Sequence, residues 1–177
     1  NFHICASETS FNMFVRAVWP SNGIRRRLAL GSAALFVENS RVTSNMIYSG
    51  IFDRCPDLKV VSVESGIGWI PFVLESIDYE WEETGAQQEI KLEKKPSEYF
   101  RDHFWGCFWF EKVAPTKLID VIGEDNVLFE TDFPHPTCLY PEVQEYITEI
   151  SADWSDTRKR KILQDNAAKL YDIDLPA

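Results

Sequence analysis

Val127-Leu128-Phe129-Glu130-Thr131-Asp132-Phe133-Pro134-His135-Pro136 is an apolar run that ends abruptly in an acid and is then closed by two prolines. Proline has no backbone N–H to give to a ladder, so the strand cannot continue past this point. The stretch reads as a buried strand whose C-terminal tip presents Asp132, followed by a rigid turn carrying His135. In β/α architectures the C-terminal strand ends are where ligands bind. Asp132 has three candidate roles there: metal ligand, general acid or base, or cap of the turn before Pro134.

Working outward, the same alternation recurs upstream. Leu58–Glu64 is short, β-branched and closed by Ser65-Gly66, which predicts a strand. A helix over Trp69–Glu83 follows, with Ile70, Val73, Leu74, Ile77 and Trp81 on one face. Residues 85–99 are polar and read as a surface excursion, Phe104–Phe110 as an aromatic strand, and Thr116–Ile122 as a helix turning at Gly123. Nearer the start, Phe2–Cys5 is a short strand with His3 near its end, and residues 6–37 are a weakly patterned stretch with a helical turn at Ala33–Val37. Arg41–Asp53 has helical spacing and stops at Arg54-Cys55-Pro56-Asp57. Residues 141–151, 155–163 and 164–171 are expected as three closing helices. Four strand–helix units demand parallel strands joined by right-handed crossovers. Four units are half of an eight-stranded barrel.

The 177 residues, 45% of them hydrophobic, suit one domain over 1–177 with a packed core. With 28 acids against 18 bases the net charge is −10, which argues against nucleic acid and anionic membranes and leaves a small-molecule substrate as partner. No apolar run approaches the ~20 residues of a membrane span. The basic cluster Arg25-Arg26-Arg27 reads as a solvated loop; if functional, it would receive an anionic substrate or an acidic patch of a partner. Cys5, Cys55, Cys107 and Cys138 lack metal-binding spacing and are expected as free, buried thiols of a reducing, cytoplasmic compartment. The chain opens on Asn1, inside a strand, so a fragment of a longer protein is expected.

With parallel strands, His3, Glu64, Asp132 and His135 share one rim. Imidazole and carboxylate converging there suit a divalent metal, zinc by default. Each also has a plainer reading. His3 can bond backbone, Glu64 can cap the helix starting near Gly68, and Asp132 and His135 can serve turn geometry. His103 is expected to be non-catalytic.

Three motifs in order resemble the amidohydrolase-2 family, the branch related to aminocarboxymuconate-semialdehyde decarboxylase. They are Ser49-Gly50-Ile51-Phe52-Asp53-Arg54-Cys55-Pro56-Asp57-Leu58-Lys59-Val60-Val61, Glu64-Ser65-Gly66-Ile67-Gly68-Trp69-Ile70-Pro71-Phe72, and Glu130-Thr131-Asp132-Phe133-Pro134-His135-Pro136. The resemblance implies the C-terminal half of a (β/α)8 TIM barrel: four parallel strands with outer helices, the N-terminal half absent. By resemblance His3 is the fifth-strand histidine ligand, and Asp132 the eighth-strand aspartate that binds metal and handles a proton. Glu64 and His135 are candidates for touching substrate or supporting the ligands. Glu64-Ser65 stands where decarboxylase members end the sixth strand in histidine, and the first-strand motif with two ligands is missing. The implied activity is metal-dependent hydrolysis or decarboxylation of a small carboxylated or cyclic compound by the parent protein, with this piece inactive alone. Bare strand edges imply a homo-oligomer or the missing half as partner. The rival readings are an open-sheeted, flavodoxin-like binding or scaffold domain and a relative that has lost its metal.

Overall fold

The computed structural model describes residues 1–5, 12–13, 16 and 19–175. One parallel sheet carries the strands in the order β1 (Phe2–Ile4), β2 (Val60–Ser62), β3 (Phe104–Phe108) and β4 (Val127–Phe129). Ile4, Ser62, Gly106 and Val127 lie level across it. All four strands therefore run the same way and their C-terminal tips form one rim. The architecture is α/β and comprises four consecutive units, half the strands of a (β/α)8 barrel. The expected strands at 58–64 and 104–110 are trimmed at their ends. Glu64 already turns out of the ladder with φ +54°, so β2 stops at Ser62.

Side-chain alternation divides the strands between two cores. Val60, Phe104, Phe108 and Val127 pack against helix residues Ile47, Ile70, Ile77, Ile122, Ile150 and Ile162. Val61, Cys107 and Leu128 face the other way and are covered by Leu170, with Val63, Trp105 and Ala167 beside them. Gly106 is required by a close approach. A Cβ there would meet Ile70 Cδ1 at 2.7 Å and Ile67 Cγ2 at 2.9 Å.

The helices are α1 (Ile24–Ala33), α2 (Leu35–Tyr48), α3 (Ile51–Arg54), α4 (Ile70–Glu83) and α5 (Pro96–His103). They continue with α6 (Val113–Lys117), α7 (Ile119–Ile122), α8 (Val143–Ile150), α9 (Asp156–Arg160) and α10 (Asn166–Tyr171). Several sequence expectations need correction. Arg25-Arg26-Arg27 belongs to α1, not to a loop; Arg26 and Arg27 donate to the carbonyls of Ser21 and Asn22 just before the helix. The early part of the 6–37 stretch lies outside the described residues. The helix expected over 41–53 begins at Leu35 and is broken by Gly50, whose φ of +65° is left-handed. Helix α5 was hidden in and after the polar stretch 85–99. Its first turn is held from outside, Ser97 N–H donating to Asp78 Oδ1 of α4 at 2.8 Å. The last two expected helices are one rod: α9 passes through a π-helical turn at Lys161–Asp165 into α10.

Of the four free cysteines only Cys107 is buried, whereas Cys5 and Cys55 are exposed. Cys5 follows an edge strand, and Cys55 ends a short helix, so neither is covered from both sides. His103 is a packing residue: its ring stacks on Phe52 at 4.4 Å and Nδ1–H donates to the Leu58 carbonyl at 2.9 Å. Asn39 of α2 is buried and pins the rim from behind. Its amide donates to the Ile4 and Val63 carbonyls and to Ser62 Oγ at 2.8–3.1 Å. No helix is long and apolar enough to cross a membrane among the described residues.

Candidate metal centre

Beyond β2 the chain turns sharply. Glu64 and Gly66 both have positive φ, +54° and +66°, which lifts Glu64 onto the rim. A non-glycine residue in that region carries a strain of about 1–3 kcal/mol and persists only where its surroundings enforce it. Two carboxylates do so here. Glu130 Oε1 accepts the Glu64 N–H at 2.9 Å. Glu111 accepts the N–H groups of Ile67 and Gly68 through its two oxygens, each at 2.8 Å. The capping role the sequence offered to Glu64 thus belongs to Glu111. The Glu111 backbone is itself anchored, since Tyr146 Oη donates to its carbonyl at 2.5 Å.

Beyond β4, Glu130 N–H extends the ladder to the Phe108 carbonyl at 3.0 Å, and Asp132 then turns with φ +59°. The turn is closed by backbone, His135 N–H donating to the Asp132 carbonyl at 2.9 Å and Leu139 N–H to the Thr131 carbonyl at 3.0 Å. The Asp132 side chain is not needed for that turn.

The outcome is one cluster. Glu64, Asp132 and His135 each offer a ligand atom, and the three atoms lie within 4.8 Å of one another. Glu64 and Asp132 are half-buried and His135 is exposed. Two carboxylate oxygens and one imidazole nitrogen fit a divalent cation of the zinc or manganese kind. The electrostatics fit as well. Burial pushes the neighbouring Glu130 carboxyl up to about 7, and the charges of Asp132 and Glu64 add to the rise, so the rim is crowded with negative potential. Burial likewise holds the Cys107 thiol well above its usual range, with Glu130 contributing as charge and hydrogen-bond partner.

His3 is seated elsewhere. The register sets it beside Val61, and it is not part of the cluster. Its Nε2 is hydrogen-bonded to Tyr171 Oη at 2.8 Å. Of the four sequence candidates, the structure therefore brings Glu64, Asp132 and His135 together and leaves His3 outside.

Sequence reasoning passed over Glu111 and Glu130. A signal existed: each of β2, β3 and β4 is followed within three residues by a glutamate, Glu64, Glu111 and Glu130. Beside the cluster opens a cleft of about 450 Å³, walled by Phe36, Trp69, Phe72, Trp109 and Phe110 with Glu64 and Glu111 at its polar side. Among the described residues no lysine, arginine or histidine lines it.

Comparison with known proteins agrees with this fold. A family model described as Amidohydrolase, of the amidohydrolase-2 type, matches residues 8–173. The 2-amino-3-carboxymuconate-6-semialdehyde decarboxylase of Dictyostelium discoideum is 28% identical over 135 residues, 73% of this chain and 35% of that protein. The 5-carboxyvanillate decarboxylase LigW of Sphingomonas paucimobilis superposes with a TM-score of 0.73 at 28% identity, covering 97% of this chain and 49% of its own. A dihydroxybenzoic acid decarboxylase of Polaromonas sp., solved with manganese and 2-nitroresorcinol, shares the fold at TM-score 0.71 and 19% identity, over 99% of this chain and 50% of its own. The chain thus spans about half the length of these solved relatives. With strand order and family match in agreement, the chain belongs to the amidohydrolase-2 family.

Proposed function

We propose that this chain supplies the C-terminal half of a divalent-metal-dependent decarboxylase acting on small aromatic carboxylates. The observation that carries the reading is the convergence of Glu64, Asp132 and His135 on one rim beside an aromatic-walled cleft. The relatives named above are decarboxylases, which favours C–C cleavage over hydrolysis. Glu64, Asp132 and His135 would hold the ion, and the donor set suits manganese as readily as zinc. His3 Nε2 is held by Tyr171 Oη, so that nitrogen would have to leave Tyr171 to join them. When bound, the metal supplies electrostatic stabilisation for negative charge on substrate oxygens.

The chain's own residues have separate tasks. Trp69, Trp109 and Phe36 hold the ring and exclude water. Loss of CO₂ leaves the electron pair of the broken bond on a ring carbon, which then takes a proton. On this reading Asp132 moves that proton. Among the described residues the cleft wall has acids and no cation, so recognition of a substrate carboxylate falls to the metal or to residues beyond this wall. The chain alone is therefore expected to turn over little or no substrate.

The test is CO₂ release from hydroxylated benzoates by the whole protein loaded with Mn²⁺, beside its Asp132→Asn variant. Turnover that falls at least 100-fold in the variant supports the reading. A hydrolytic product with no CO₂, or full turnover in the variant, overturns it.

A further inference from the structure

At the opposite end of the sheet lies a second hollow of about 330 Å³, walled by Lys59, Arg101, Asp102, Trp105, Asp125 and Lys169. These residues gather where strands begin: Lys59 immediately precedes β2, Arg101 and Asp102 end the helix that runs into β3, and Asp125 precedes β4. Lys169 comes from α10. The hollow is thus set at the strand starts, whereas Glu64, Asp132 and His135 lie beyond the strand ends.

Its wall carries three cations and two acids in a chain of net charge −10. Both acids in the wall are already neutralised by cations that do not line it, Asp102 by Lys94 at 2.6 Å and Asp125 by Lys161 at 2.7 Å. Lys59, Arg101 and Lys169 have no ion-pair partner among the described residues, as is true also of Arg25, Arg26, Arg27, Arg54, Lys91, Lys117 and Lys159, and Arg101 donates to the Val121 carbonyl; what sets the three apart is that they line one hollow. Three unmatched positive charges around one hollow repel one another until an anion enters.

The frame is also held firm. Asn126 donates to the Arg101 and Phe104 carbonyls at 2.8 Å each, and Asn166 to those of Glu124 and Val127 at 2.7 and 2.8 Å. Trp105 is fixed by its indole N–H to the Asp125 carbonyl at 2.9 Å and gives the hollow an apolar wall.

We propose that this hollow binds a small multivalent anion, a molecule bearing phosphate or several carboxylates, at a site separate from the metal rim. Lys59, Arg101 and Lys169 supply its counter-charge, and bridging them ties α10 to the starts of β2 and β3. Such a ligand acts by binding, stabilising the folded chain in proportion to its occupancy.

The experiment is calorimetric titration of the full 177-residue chain with pyrophosphate and, separately, with citrate at low salt. One saturable site is expected, weakening as salt is added. Lys59→Gln with Lys169→Gln is expected to lower affinity at least tenfold, as is Arg101→Gln, while Lys112→Gln changes nothing. The Trp105 indole N–H resonance should shift on binding, which follows the site without any variant. A response to pyrophosphate only, or to citrate only, supports the site and assigns the anion class. No saturable heat, or binding that survives these substitutions and disappears when Arg25, Arg26 and Arg27 become Gln, overturns the proposal.

Discussion

The Glu64 amide donates to Glu130 Oε1 at 2.9 Å, so a residue just beyond β2 is held by the residue just beyond β4. This bond spans the rim between β2 and β4 and fixes Glu64 in its left-handed conformation. An amide oxygen can still accept the N–H, whereas a methyl group cannot. Glu130→Gln should therefore keep metal affinity within a few fold. Glu130→Ala should destabilise the chain by about 1–3 kcal/mol, the cost of an unmet buried donor, and weaken metal binding. Urea unfolding and Mn²⁺ titration of both variants check this; equal behaviour of the two would count against a positioning role.

Glu111 gives the fold a pH dependence of a defined sign. Burial raises its carboxyl above the usual glutamate range, with the Ile67 and Gly68 N–H groups opposing the rise. A raised acid favours its protonated form in the folded state. Its contribution to stability is fully present below the unfolded value of about 4.3 and is lost as pH rises through the folded value. Wild type should thus lose stability relative to Glu111→Gln as pH increases from about 4. Urea midpoints at a series of pH values measure it, and parallel curves would refute the assignment.

Glu124 should do the reverse. Hydrogen bonds from Lys161 and Arg158 hold its carboxyl below the usual range, joining the turn before β4 to the C-terminal rod. A lowered acid contributes stability above the unfolded value, and that contribution is lost as pH falls through the folded one. Glu124→Gln should flatten the acid limb of the stability curve, and salt should mimic it in part. An unchanged acid limb is the contrary result.

Gly106 marks where the loop before α4 touches β3. Any side chain there must displace Ile70 and Ile67, which approach its Cβ position to 2.7 and 2.9 Å. Gly106→Ala is expected to cost about 1–3 kcal/mol by overpacking. Thermal unfolding tests it, and an unshifted midpoint would show that the contact yields freely.

Much of this was legible in sequence because it depends on local pattern. The strand cores at Val60–Ser62 and Val127–Phe129 follow from β-branched and apolar runs closed by Gly or Pro, and α4 from its apolar stripe. Helix α5 was missed although its start is marked locally, by Pro96 at the first position and by Glu98, whose carboxylate accepts the Lys95 N–H at 2.9 Å; Asp78, nineteen positions back, adds a further acceptor for its first turn. The site was legible residue by residue but not as a set. Asp132, Glu64 and His135 could each be named, yet their meeting depends on three left-handed turns, at Glu64, Gly66 and Asp132, that no periodicity announces. His3 shows the converse. Its place on β1 was readable, while its bond to Tyr171 joins residues 168 positions apart.

The most direct measurement of the metal centre is a Mn²⁺ titration of the chain, following loss of the free-ion electron paramagnetic resonance signal. One ion per chain should bind, and Asp132→Asn and Glu64→Gln should each weaken it at least tenfold, about 1.4 kcal/mol. Tyr171→Phe, which frees His3, should not weaken it. Absence of saturable binding, or binding indifferent to both carboxylate substitutions, would contradict the assignment of Glu64, Asp132 and His135 as a metal site.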